Sequence, residues 1–213
     1  MRIVAFSDTH GWHKKVTVQD GDVVIFGGDA MTSGYKFGEF KDFAEWFSDL
    51  PHKFKIMIGG NHDRVLESSE KICLSYLKDV IYLKDSGVEL LGKVFWGSPY
   101  QPEFCDWAFN VRRGPSIKAH WDLIPKNTDV LITHGPPRWI LDKTEGWGHE
   151  HVGCEELLKK VSEVNPLTHI FGHIHAGYGI EINPTVNSKT IFRNVSICDE
   201  AYRPINQPHV FDL

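Results

Sequence analysis

No stretch of this chain approaches the roughly 20 consecutive apolar residues that span a bilayer, so no membrane partner is expected. The opening residues pass from an apolar run into Ser7, Asp8 and His10 without the longer apolar stretch and small-residue cleavage site of a secretory signal. Cysteine is scarce: Cys73, Cys105, Cys154 and Cys198 lie far apart with no C-x-x-C pair. That pattern argues against a disulfide framework and predicts free thiols in a reducing, cytoplasmic setting. Internal repeats, low-complexity tracts and Ser/Gly linkers are also missing, and residues 1–213 read as a single domain. Positive charge is not in excess: 23 Lys and Arg stand against 28 Asp and Glu, a net charge of −5. A stable nucleic-acid complex is therefore not expected. Two bound divalent ions would bring −5 to −1, so an anionic substrate remains compatible with the overall sign.

What the chain does have is core material. Apolar residues make up 41% of it, with 13 Phe and 7 Trp. Short apolar runs at 3–6, Val23–Phe26 and 54–58 read as buried parallel strands. Between them Phe37, Phe40, Phe43, Ala44, Phe47 and Leu50 recur at helical spacing until Pro51 stops the run, and a second helix is expected over 64–77. Strands at 81–83, 88–91 and 94–96 follow, then a long loop over 98–115 rich in Pro, aromatics and Asn. A strand at Val130–Thr133, a helix at Glu155–Val164 and strands at 169–171, Gly179–Ile182, 190–194 and 210–212 complete the pattern. Two packed sheets with helices outside are the simplest arrangement that buries all of it.

The ionisable residues fall where strands end. Asp8 and His10 follow the first strand, Asp29 the second, and Asn61, His62 and Asp63 the third. His134 follows a fourth strand, and His173 and His175 a fifth. Loops beyond the carboxyl ends of parallel strands converge on one crevice. Carboxylate, imidazole and amide oxygen are ligands for divalent ions such as Mn²⁺, Fe²⁺ or Zn²⁺, and no thiolate takes part. Glycines beside Asp29, Asn61, His134 and His173 allow tight turns and close approach.

In order, Asp8-x-His10, Gly28-Asp29, Gly60-Asn61-His62-Asp63, Thr133-His134 and Gly172-His173-x-His175 resemble the motifs of the calcineurin-like metallophosphoesterase superfamily. A narrower likeness runs along nearly the whole chain. Gly97-Ser98-Pro99-Tyr100-Gln101-Pro102, Ala108-Phe109-Asn110, His134-Gly135-Pro136-Pro137, Val152-Gly153-Cys154 and the terminal Phe211-Asp212-Leu213 are similar to the metallophosphoesterase-domain-containing branch. The resemblance implies an α/β four-layer sandwich, two mixed β-sheets flanked by helices, with no cap domain. It implies phosphodiesterase activity that includes cyclic nucleotides.

It also implies a ligand set: Asp8, His10, Asp29 and His175 for one divalent ion, and Asp29, Asn61, His134 and His173 for a second, with Mn²⁺ expected first and Fe or Zn as alternatives. The expected reaction is attack of a metal-bridging hydroxide on phosphorus, with His62 as general acid and Asp63 orienting its imidazole. The expected partner is a small phosphoester substrate. His13, Asn110, Arg112 and Arg113 are candidates to touch it, since arginine suits phosphate, and Trp12 could offer a face to a base. Trp139, Trp147, His149 and His151 are candidates for a lid, and Asp63 could instead cap the helix beginning beside it. A phosphomonoesterase, a nuclease and a non-catalytic scaffold remain as alternative readings.

Overall fold

The computed structural model describes residues 1–145, 150–182 and 189–213. In chain order the elements are β1 (Arg2–Phe6), β2 (Val23–Phe26), α1 (Phe37–Ser48), β3 (Phe54–Met57), α2 (Arg64–Ser68), α3 (Glu70–Leu74) and β4 (Val80–Tyr82). There follow β5 (Ser86–Leu90), β6 (Lys93–Ser98), β7 (Gln101–Pro102), β8 (Asn110–Val111), α4 (Pro115–Asp122) and β9 (Val130–Thr133). The last are α5 (Glu155–Val164), β10 (Thr168–Phe171), β11 (Gly179–Ile182), β12 (Ile191–Asn194) and β13 (His209–Asp212).

One sheet runs β13-β1-β2-β3-β4, the other β11-β12-β10-β9-β6-β5. Strands β1 to β4 are parallel, and β13 closes their edge antiparallel. In the second sheet β6, β9, β10 and β12 are parallel, with β5 and β11 antiparallel at the two edges.

The alternation of side chains along β1 sorts three cores. Val4 and Phe6 pack with Phe40, Phe43, Ala44 and Phe47 of α1, while Ile3 and Ala5 face Phe95, Val130 and Ile132 of the other sheet. Leu131 and Phe171 point the opposite way, onto Trp121 of α4 and Leu157 and Val161 of α5. Three apolar interlayers mean four layers, helix–sheet–sheet–helix, as expected. The Phe-rich stripe of α1 is core, with Phe26 and Phe43 ring centres 4.4 Å apart. Each such side chain contributes about 1.5–3 kcal/mol by leaving water.

Two expectations need correction. The helix over 64–77 is broken at Ser69, whose backbone (φ −142°, ψ 45°) is not helical. Serines there favour local non-helical bonding over helix continuation, and the break lets both short helices bury residues in one core: Leu66 from α2 and Cys73 from α3. The segment 98–115 is also more ordered than a loop. It holds the β7–β8 pair and leads into α4, which starts with Pro115 behind Gly114 at φ 81°. A proline in the first helical turn and the Ile117/Trp121 spacing were legible signals for that helix.

The two sheets meet just beyond β1. Ser7 donates its N–H to the Val195 carbonyl (3.0 Å) and accepts from Ile197 (3.0 Å), joining the end of β1 to the residues after β12. Parallel strands of both sheets thus end at one shared edge.

Candidate metal centre

At that edge the loops are laid on one another by backbone hydrogen bonds. Asp8 N–H reaches the Gly28 carbonyl (2.9 Å), His10 the Asp29 carbonyl (3.1 Å), and Gly172 the His134 carbonyl (2.9 Å). The approach is close enough to require glycine. A Cβ on Gly28, at φ +98°, would sit 2.6 Å from the Gly59 carbonyl oxygen and 2.7 Å from His134 Nδ1. Asp8, His10, Asp29 and His173 themselves hold left-handed backbone (φ 55°, 42°, 61° and 68°). Such conformations cost energy in non-glycine residues and concentrate at functional sites.

The imidazoles are then aimed. His10, His134 and His175 donate Nδ1–H to the carbonyls of Met31 (3.1 Å), Gly27 (2.9 Å) and Asp199 (2.9 Å). This fixes Nδ1 as the donor and turns each Nε2 towards the centre, the nitrogen a metal would take. His10 Nε2 and His175 Nε2 stand 3.2 Å apart, about the separation of two nitrogens on one ion at ~2.1 Å. Asp29 Oδ2 lies 3.8 Å from His10 Nε2 and 3.4 Å from His134 Nε2, and Asn61 Oδ1 lies 2.8 Å from His134 Nε2. Ligand atoms within 4.8 Å of one another form three groups: Asp8–His10–His175, His10–Asp29–His62 and Asp29–His134–His173. Donor type, aim and spacing fit divalent ions, and all seven expected ligands meet here.

Electrostatics show what the cations would offset. Burial opposes charge on Asp8 and Asp29, yet the contact with His175 and the charge of His134, respectively, hold both carboxyls well below the usual range. Burial likewise opposes protonation of His134 and His175, but Asp29 and Asp8 overcome it and lift each imidazole to about 9. His10 and His173 go the other way, pushed down by burial to about 4 and about 3.

His62 lies at the rim of this cluster. Its backbone N–H donates to Asp29 Oδ1 (2.7 Å) and its Nδ1–H to the Thr32 carbonyl. The expected role of Asp63 is corrected by the structure. Its carboxylate does not touch the His62 ring and does not cap α2. Instead it accepts backbone N–H groups of Asp29 (2.9 Å), Ala30 (3.0 Å), Met31 (3.2 Å) and Gly60 (2.9 Å), tying together the turns that carry Asp29 and Asn61. Burial, and then the charge of Asp29, push its carboxyl up to about 7.

The expected substrate contacts fare differently. His13 is buried against Phe43 and Trp46 of α1, 3.2 Å from Asp42, and belongs to the core flank. Asn110 spends its amide on the carbonyls of Phe104 and Cys105 (both 3.0 Å). Arg112 points into solvent near Glu103. Arg113 alone lines a cleft beside the centre, its guanidinium taken up by Glu155 (2.8 Å) and the carbonyls of Gly153 (2.8 Å) and Val152 (2.5 Å). Trp12 holds the Tyr202 carbonyl (3.0 Å). Of the lid candidates, Trp139 and His151 pack together on a segment held by Asp142, and Trp147 and His149 lie outside the described residues.

Sequence reasoning missed four neighbours. Tyr202 sets its ring 4.7 Å from His10 and 5.4 Å from His175, and Glu200 lies beside it. Trp107 stacks on His62, and Phe104 meets His173 edge-on at 5.9 Å. None carries a metal-ligand signature; a positive φ of 58° at Tyr202 is the only local mark. Phe104, His173 and Glu200 border both the small cavity over the ligands, about 110 Å³, and the cleft of about 460 Å³ next to it.

The calcineurin-like phosphoesterase family profile matches residues 1–177. Metallophosphoesterase domain-containing protein 1 of Homo sapiens is 39% identical over 236 residues, covering 100% of this chain and 71% of that protein. UPF0046 protein K07C11.7 of Caenorhabditis elegans is 35% identical, covering 99% of this chain and 74% of its own length. Among solved structures, TT1561 of Thermus thermophilus superposes with a TM-score of 0.57 at 15% identity over 99% of this chain and 98% of that one, a likeness of fold.

Proposed function

The chain belongs to the calcineurin-like phosphoesterase family, on the branch of the metallophosphoesterase domain-containing proteins, and from that premise we propose that it hydrolyses small phosphodiesters, cyclic nucleotides among them, with two divalent ions. A metal-dependent phosphoesterase is the activity the family and the His/Asp clusters support. The observation that carries the proposal is the pair of three-residue clusters, Asp8–His10–His175 and Asp29–His134–His173, with Asp29 facing into both through His10.

Asp8, His10, Asp29 and His175 would hold one ion, and Asp29, Asn61, His134 and His173 the other, with Mn²⁺ as the first choice. When bound, such ions supply an activated water and offset the charge of the phosphoryl oxygens. The chain's own residues do the rest. Asp29 presents one carboxylate oxygen between His10 and His134 while its other oxygen fixes the His62 backbone. With Nδ1–H committed to Thr32, His62 as imidazolium would carry its second proton on Nε2 and donate it to the leaving oxygen, ending as the neutral ring.

Diester preference rests on the charge of the cleft. Glu103, Glu145, Glu150 and Glu200 line it, and Arg113 is the sole Lys or Arg among its described residues. With its guanidinium already satisfied, Arg113 offers little to a dianionic monoester, whereas a monoanionic diester meets less repulsion. A cleft of about 460 Å³ also has room for an alcohol arm of nucleoside size. A Mn²⁺-loaded panel of bis-p-nitrophenyl phosphate, p-nitrophenyl phosphate and 2′,3′- and 3′,5′-cyclic nucleotides tests this. Diesters are expected to turn over with at least about tenfold higher kcat/KM, a difference of ~1.4 kcal/mol; a monoester preference overturns the assignment.

A further inference from the structure

The His62 ring has a second support, from a part of the chain that carries no ligand. Trp107 lies almost parallel to it, ring centres 4.1 Å apart at 27°. The two residues are held by one another's loops. Ala108 N–H donates to the Asn61 carbonyl (3.1 Å), and Phe109 N–H donates to Glu67 on α2 (2.7 Å). Behind them the Arg64 guanidinium sits 4.8 Å from the Trp107 ring and 4.9 Å from Tyr35. The segment carrying Trp107 is therefore fastened at its base to the Asn61–His62 turn and to α2.

We infer that Trp107 is a positioning residue for His62, holding the imidazole plane so that Nε2 faces the leaving oxygen while Nδ1–H stays on the Thr32 carbonyl. This rests on the reading of His62 as the proton donor. The physical ground is geometric. A hydrogen bond at Nδ1 fixes one end of the ring but leaves it free to pivot about that bond. A parallel ring at stacking distance removes the pivot, and such aromatic pairs favour the stacked arrangement by several-fold to about tenfold. Among the described contacts and linings Trp107 meets His62 and Arg64 and none of the seven candidate ligand side chains, so an effect on proton transfer is expected to run through His62.

The test compares Trp107→Ala, Trp107→Phe and His62→Ala on two diesters: bis-p-nitrophenyl phosphate, whose phenolate leaves without a proton, and a 3′,5′-cyclic nucleotide, whose alkoxide needs one. Trp107→Ala is expected to lose about tenfold in kcat on the cyclic nucleotide, to lose little on the activated ester, and to keep its metal content. Trp107→Phe restores most of the loss. A readout independent of turnover is the His62 Nδ1–H resonance in ¹⁵N-histidine-labelled protein, assigned by its disappearance in His62→Ala. It is expected in wild type and Trp107→Phe, and broadened by exchange in Trp107→Ala. If His62→Ala loses rate selectively on the cyclic nucleotide while Trp107→Ala does not, the inference falls and the acid role stands. If His62→Ala loses equally on both esters, the acid role itself falls, and the inference with it. A raised KM for the cyclic nucleotide in Trp107→Ala with kcat intact assigns the indole to the substrate base and also overturns it.

Discussion

At the scale of single residues, a buried carboxylate that accepts four backbone N–H groups welds together the turns it touches. Asp63 does this for the turns carrying Asp29 and Asn61, with no exposure to water. Its replacement by Ala leaves those donors buried and unpaired, at about 1–3 kcal/mol for such a group. We expect Asp63→Ala to lower unfolding free energy by about 3 kcal/mol and to weaken metal binding. His62→Ala, which removes one hydrogen bond and one stacking partner, should cost less, about 1–2 kcal/mol. Urea denaturation of the metal-free proteins separates the two, and equal stabilities would show that Asp63 serves His62 after all. Adjacency in Asn61-His62-Asp63 was legible in the sequence; direction was not, because neighbouring side chains leave the backbone on different bearings. His13 misled for the same reason. A histidine near the motif is turned inward by a short helical turn and packs on Phe43.

The ends of strands carried most of the legible information at the scale of elements. Apolar runs followed by Gly-Asp, Gly-Asn or Thr-His mark both the strand and the candidate ligand at its end, so the set of side chains that converge at this edge was legible without coordinates. What closes the cleft was not. The described residues 137–145 and 150–153 are held together by Asp142, whose carboxylate accepts the N–H groups of Trp139 (2.9 Å) and Gly153 (2.9 Å) and meets His151 Nδ1 at 2.5 Å. No periodic pattern announces a hub of that kind; it is a loop closed by one buried side chain. Asp142→Ala should free the segment, so that trypsin cuts after Lys143 about tenfold faster, as expected for donors losing a buried acceptor. Metal content should stay unchanged, since none of the ligands lies on the segment. Loss of metal in that variant would place Asp142 in the centre's own support.

For the whole molecule, six histidines with strongly displaced titration fall into two groups that pull stability in opposite directions. His169, buried beneath Thr133, is pushed down to about 3 by desolvation, and His209 to about 4 by desolvation and then Arg193. With His10 and His173 they are neutral in the folded state but take up protons near 6.5 when unfolded. Their contribution is therefore present above about pH 6.5 and is lost as pH falls, about 1.4 kcal/mol per unit for each group. His134 and His175, raised to about 9, behave inversely. Folded protein keeps those protons where unfolded chain has released them, so this stabilisation is present below about 6.5 and is lost as pH rises towards 9. Metal-free protein should accordingly be most stable near pH 6.5, with Tm falling on both sides. Divalent ions compete for the same two lone pairs, so loading at pH 7 should release about two protons and remove the alkaline decline. Thermal unfolding across pH 5–9.5 with and without chelator measures the first effect, and calorimetric titration of Mn²⁺ in buffers of different ionisation enthalpy measures the second. A metal-free Tm that climbs between pH 7 and 9 would mean that His134 and His175 are not the proton-holding pair, and that the carboxylates Asp8 and Asp29 are balanced by some other charge.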